Sequence, residues 1–319
     1  MTNKNAVQVL LTTCAGAKKN EAILFVTDDT SREISEIMWD NTRDFSNRSI
    51  AMMSDRRMHG DEPPAAVAAA MANADIIFGI TKFSMFHTEA RRNAVKNGAR
   101  FVNMADYSTD MMEDGGLFVD FIAQGKLLDR LSDVLEGNTA HITSEAGTDI
   151  SFSVEGRKAI RQYGRSLKPG SSSSPPDIET ALGPVEGTAS GVVVIDGSIP
   201  HPRLGVLKGK IKLILKDGRI VSIEGEEEAE ILEKVFRDMN DDAVYVLGEM
   251  GIGLNNKSRL CNRMLEDEGV MGTIHFGFGS NITFGGTIES NNHLDMVFKD
   301  PTLSIDGKTL MVKGQLTVD

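Results

Sequence analysis

Along residues 1–137, short continuous apolar runs alternate with stretches of helical periodicity. AILFVTD (22–28) reads as a buried strand, and SIAMMS (49–54), ADIIFGIT (74–81) and RFVNMA (100–105) as three further strands. Between them, Thr30 and Glu33 suit a capping box for a helix reaching Trp39, and Pro63 and Pro64 open an alanine-rich helix. His87 to Asn97 reads as a further helix, closed by Gly98. Buried strands separated by helices predict βαβ units and a Rossmann-like, doubly wound parallel sheet. There is no GxGxxG after the first strand and no GxxxxGK[ST] anywhere, so this describes topology and carries no nucleotide function.

From Asn138 the pattern changes to period-two alternation, in THITSEAGTDISFSVEGR, VVVIDGSI and GVLKGKIKLILKDGRIVSIEG. Asp196-Gly197, Asp217-Gly218 and Asp306-Gly307 predict hairpin turns. LKPGSSSSPPD (167–177) predicts a flexible surface loop or lid, and one helix, from Glu227 to Met239, interrupts the strands. The fold class expected is α/β: a Rossmann-like domain at 1–137, then a mainly β metal-binding domain at 138–319.

Composition narrows the partners. The 319 residues carry a net charge of −12, which argues against nucleic acid or an anionic membrane surface and leaves a small-molecule substrate. Cys14 and Cys261, two thiols far apart, fit neither a disulfide framework nor a thiolate metal site and suggest a reducing compartment. VQVLL before Thr12 is short for a secretory core, and no run reaches the roughly 18 apolar residues of a membrane span. A cytoplasmic location is expected.

The chemistry concentrates near the C-terminus. Glu249, His275, His293 and Asp295 lie in the apolar, glycine-flanked runs VYVLGEMGIGLN, GTIHFGFG and NNHLDMVF. Two imidazoles and two carboxylates on stiff strands are oxygen and nitrogen donors suited to a divalent metal such as zinc, manganese, cobalt or ferrous iron. His293 and Asp295 are two apart, so on a strand they point to one face. Elsewhere, His87 sits where a parallel strand gives way to a helix, the edge at which doubly wound sheets bind ligands, with Arg91 one turn later. Asp149 and Arg157 in GTDISFSVEGR suit a polar substrate group or, equally, a hairpin salt bridge.

These motifs resemble those of the M29-type metal-dependent aminopeptidases, the aminopeptidase T and S group, and of their relatives the 2,5-dihydroxypyridine ring-cleaving dioxygenases. The resemblance runs through ITSEAGTDISFSVEGR, PPDIETALGPVEGTASG, GEMGIGLN, GTIHFGFG and HLD. In the aminopeptidases it implies two divalent ions held by Glu179, Glu249, His275, His293 and Asp295, with a tyrosine near Ile282 that this chain lacks. Glu186 is the alternative to Glu179 in the same segment. The dioxygenase branch keeps the HLD pair but has histidine in place of Glu249 and no imidazole at His275. Ligand identity therefore places the chain nearer the hydrolases.

Charge agrees with that placement: two divalent ions balance Glu179, Glu249, Asp295 and a hydroxide, whereas one ferrous ion over-neutralises unless a carboxylate is protonated. The main expectation is thus a hydrolase of a small amide or peptide-like substrate, with metal-activated water and Glu179 and His87 as catalytic groups. The alternative is an Fe(II)-dependent dioxygenase opening a dihydroxypyridine-like ring, using one ion rather than two. Because a flexible loop covers a cleft poorly, a homodimer or larger homo-oligomer is also expected, as the related families assemble.

Overall fold

The computed structural model describes residues 3–290 and 292–318. Two compact units divide it: residues 1–121 with 162–177, and residues 122–161 with 178–319.

In the first unit a five-stranded parallel sheet has the order Arg48–Met53, Ile23–Asp28, Ile76–Ile80, Arg100–Asn103, Ser172–Ser173. The four long strands are those the apolar runs predict. Ile23–Asp28, Ile76–Ile80 and Arg100–Asn103 are buried throughout, as a sheet covered on both faces requires. Leu24, Val26, Ile77 and Phe101 pack with Val67 and Met71 of the Ala65–Met71 helix and with Ala90 and Ala94 of Glu89–Lys96.

Local details depart from expectation in three places. The capping box does not form, because the Thr30 hydroxyl donates to Asp55 Oδ2 at 2.7 Å. The Asp28 carboxylate takes over at the helix start by accepting the Ser31 N–H at 2.9 Å. The 167–177 segment is no lid: Ser172–Ser173 pairs with Arg100–Asn103 as the fifth strand, and residues 173–177 are buried. Its serines read as a flexible linker in sequence, yet Asn103 Nδ2 donates to the Ser174 hydroxyl at 3.2 Å. The expected boundary at 137/138 also shifts. The Phe121–Leu135 helix joins the second unit, where Ser132 Oγ donates to Thr180 Oγ1 at 2.8 Å, and residues 162–177 return to the first.

The second unit stacks two sheets. One has eight strands, in the order Arg219–Gly225, Ile211–Lys216, Ser190–Ile195, Asp149–Ser153, Thr139–Thr143, Thr302–Ile305, Lys308–Val312, Gln315–Leu316. The other has seven, in the order Gly205–Val206, Ser198–Ile199, His293–Lys299, Thr273–Gly279, Leu247–Gly253, Glu179–Leu182, Ile160–Gln162. Phe152 of the first sheet meets Phe276 of the second edge-on at 5.9 Å, and Phe276 meets Phe298 at 5.2 Å.

Asp217-Gly218 and Asp306-Gly307 turn hairpins as expected, with positive φ at both residues of each pair. Asp196-Gly197 does not, because the strands it joins belong to different sheets. A Cβ at Gly197 would lie 2.6 Å from the Val297 carbonyl, so glycine here serves close approach between strands. The helix at Glu227–Met239 is as read, with Glu227, Glu228 and Glu230 in its first turn.

Candidate metal centre

Strand parity builds the site. In Thr273–Gly279, Ile274, Phe276 and Phe278 are buried and alternate with His275, Gly277 and Gly279. The antiparallel register places Glu249 opposite Gly277 and Gly277 opposite Asp295, Gly251 opposite His275, Gly279 opposite His293, and Gly253 opposite Glu179. Every one of these positions is odd-numbered, so acidic groups, imidazoles and glycines share one sheet face while aromatic and aliphatic residues pack on the other.

The glycines leave room for the ligands. A Cβ on Gly251 would sit 2.1 Å from His275 Nε2, and one on Gly277 would sit 2.3 Å from His293 Nε2. Each imidazole therefore lies across the bare backbone of the neighbouring strand.

The donors converge. His293 Nε2 is 2.8 Å from Glu249 Oε2 and 3.1 Å from Asp295 Oδ1. His275 Nε2 is 3.2 Å from Glu179 Oε2 and 3.6 Å from Glu249 Oε1. Glu249 joins two sets of three, one with Glu179 and His275 and one with His293 and Asp295, each with ligand atoms within 4.8 Å of one another. The two imidazoles are held differently. His293 Nδ1 contacts the Ser280 carbonyl at 2.9 Å, the arrangement that leaves Nε2 free to ligate, and Phe284 stacks on its ring at 5.8 Å. His275 Nδ1 is buried with no hydrogen-bond partner. Glu268, which sequence reading missed, neighbours both Asp295 and Glu179. Its only signal is a glutamate in the EDEG turn (266–269) that leads into the His275 strand.

Buried carboxylates dominate the electrostatics. Burial works against a charged His275, but Glu179, Glu249 and Asp295 outweigh it and lift the imidazole to about 9. Burial likewise opposes charge on His293, which Asp295 and Glu249 nevertheless hold well above its ordinary range. Asp295 is pulled down to about 2, burial being overcome by His293. Excess negative charge on an apolar sheet face, with nitrogen and oxygen donors in contact, is a donor set that fits a divalent cation.

A metal must displace the proton from His293 Nε2 to ligate it, so affinity is expected to rise with pH until that imidazole, held well above its ordinary range, has lost its proton. Calorimetric titration in two buffers of different ionisation enthalpy would report the proton release, and a pH-independent affinity would contradict it. The sign is opposite for the metal-free fold. Its imidazole–carboxylate contacts stabilise fully below the unfolded histidine value and are lost as pH rises through about 9.

The remaining expected site residues make other contacts. Asp149 faces His141 at 2.9 Å on an exposed hairpin of the eight-stranded sheet, rather than Arg157. Arg157 pairs with Glu186 at 2.5 Å and donates to the Gly285 carbonyl, so both groups belong to loop structure and Glu186 does not stand in for Glu179. In the first unit, His87 is exposed and its carbonyl accepts from Arg92, while Arg91 bonds the Phe86 carbonyl at 2.6 Å and covers the Phe86 ring.

The family model for 2,5-dihydroxypyridine 5,6-dioxygenase (NicX) matches residues 1–318. The chain belongs to that family. It is also 27% identical over 191 residues to the 2,5-dihydroxypyridine 5,6-dioxygenase of Pseudomonas putida KT2440. That alignment covers 57% of this chain and 55% of the relative, so the match spans about half of the curated protein. The solved structure of the dioxygenase from the same organism superposes with a TM-score of 0.78 at 19% identity, over 100% of this chain and 99% of that one. Wild-type AmpT from Thermus thermophilus superposes with a TM-score of 0.72 at 13% identity, over 99% of each chain. At such identities the two structures show a shared fold, the one the M29 resemblance implied. Membership of the dioxygenase family overturns the expected amide hydrolase, an expectation that rested on the identities of two ligands, Glu249 and His275. Among the described residues no helix is long and apolar enough to cross a membrane.

Proposed function

We propose that this protein is an Fe(II)-dependent dioxygenase that opens a hydroxylated, dihydroxypyridine-like aromatic ring. The observation that carries the reading is the family match over residues 1–318. The site supports it through charge. Glu249, His293 and Asp295 would hold one ferrous ion, with two carboxylates balancing its two positive charges. Glu179 and His275, in contact at 3.2 Å, then form a neutral pair that shares one proton. This removes the over-neutralisation that otherwise favours two ions. Bound ferrous iron would supply the open coordination positions and the electrons through which an electron-rich ring and dioxygen react.

The chain's own groups do the rest. Ser280 fixes the His293 ring through Nδ1, and the stacked Phe284 limits its rotation. Glu179 Oε2, opposite an imidazole that favours its proton, can take up or return a proton from a ring hydroxyl. A homodimer or larger closed assembly belongs to the same proposal.

Oxygen uptake with a panel of dihydroxypyridines and catechols, in protein reconstituted with ferrous iron alone, tests the reaction. Uptake with stoichiometric loss of the aromatic absorbance is expected. Absence of uptake across the panel, in protein that binds iron, would retire the proposal.

A further inference from the structure

Glu186 is a heavily engaged carboxylate outside the metal centre. Its Oε1 accepts from Asn281 Nδ2 at 2.8 Å, from the Thr287 N–H at 2.8 Å and from the Thr287 hydroxyl at 3.3 Å. Its Oε2 accepts from Arg157 Nη2 at 2.5 Å. Burial works against the charge, but its own backbone N–H together with Asn281, Thr287 and Arg157 holds the carboxyl at about 2.

Three of the four contacts converge on one loop, residues 280–288, and the fourth comes from Arg157. Asn281 is fully buried and closes that loop by accepting the Ile288 N–H at 2.7 Å. Gly286 lies so near that a Cβ there would be 2.1 Å from the Asn281 side chain. Arg157 adds a bond to the Gly285 carbonyl, and the Phe284 carbonyl would be 2.9 Å from a Cβ at Gly183, so the loop rests on the backbone just past the Glu179 strand. The loop presents two groups to the metal centre: the Ser280 carbonyl on His293 Nδ1 and the Phe284 ring on the imidazole face.

We propose that the Glu186 side chain is a latch that fixes the 280–288 loop and through it orients His293, making Glu186 a positioning residue for metal binding. An orienting partner usually influences a ligand directly, whereas here the influence passes through a loop held by one carboxylate. The carboxylate has four donors from three residues, two of them in the loop, so losing it releases the loop at several points together. The inference rests on the reading of Glu249, His293 and Asp295 as metal ligands, but not on the reaction that the metal supports.

The test uses Co(II) as a spectroscopic probe of the full-length protein. In Glu186→Ala, Co(II) affinity is expected to fall by about 10–100-fold, the usual effect of losing an outer-shell partner, with an altered visible ligand-field spectrum. Glu186→Gln keeps an acceptor for Asn281 and Thr287 and is expected to recover most of the affinity and the spectrum. It also serves as the informative variant if the alanine protein does not fold. Wild-type affinity and spectrum in folded Glu186→Ala would overturn the latch. So would Glu186→Gln behaving no better than alanine. Failure of the dioxygenase reading appears separately, as intact Co(II) and iron binding without oxygen uptake in the unmodified protein.

Discussion

His293→Ala is expected to lower divalent-metal affinity by at least ~100-fold and to abolish iron-dependent oxygen uptake, the largest effect of any single ligand change. His293 is the nitrogen donor of the set it forms with Glu249 and Asp295, and it touches both carboxylates, at 2.8 and 3.1 Å. Its removal leaves two buried carboxylates facing each other without a nitrogen ligand. Burial and mutual repulsion then favour a proton on one of them over a metal ion. His275→Ala should be milder for metal affinity, since His275 Nε2 lies nearer to Glu179 than to Glu249, at 3.2 against 3.6 Å. Elemental analysis of the purified variants, with metal titration of each, checks the order. Equal losses in both would mean that the ion sits between the two imidazoles.

The second large effect is expected from a residue with no side chain. In Gly277→Ala the new Cβ would meet His293 Nε2 at 2.3 Å and Asp295 Oδ1 at 2.9 Å, distances that no side-chain contact tolerates. Gly277 is paired on both sides, with Glu249 and with Asp295, so its backbone has little freedom to withdraw and the ligands must move instead. Metal affinity is expected to fall on the order of 100-fold while the sheet remains folded, because Ile274, Phe276 and Phe278 pack on the opposite face. Circular dichroism with metal titration distinguishes this from unfolding. A folded Gly277→Ala protein that binds metal normally would show that the imidazole can lie elsewhere.

Amide-hydrolase chemistry was the natural expectation from Glu249 and His275, and it failed for a physical reason. A donor set of two imidazoles and several carboxylates is compatible with one ion or two, because protons can replace the missing positive charge. His275, lifted to about 9 by its carboxylate neighbours, is such a proton holder. Local ligand identity therefore does not select the reaction.

The sequence by itself determined the parallel sheet of the first unit, because Ile23–Asp28, Ile76–Ile80 and Arg100–Asn103 are apolar enough to be buried on both faces. It also determined that His293 and Asp295 share a face, since strand periodicity is fixed by backbone geometry. Tertiary structure alone decided the pairings. Strand register set Gly251 under His275 and Gly277 under His293, and brought Glu268 to Asp295. It also made Glu186 a loop latch instead of a ligand, and turned the serine run into a fifth strand. Those outcomes depend on which segments meet across long sequence separations, and spacing along the chain carries no record of such meetings.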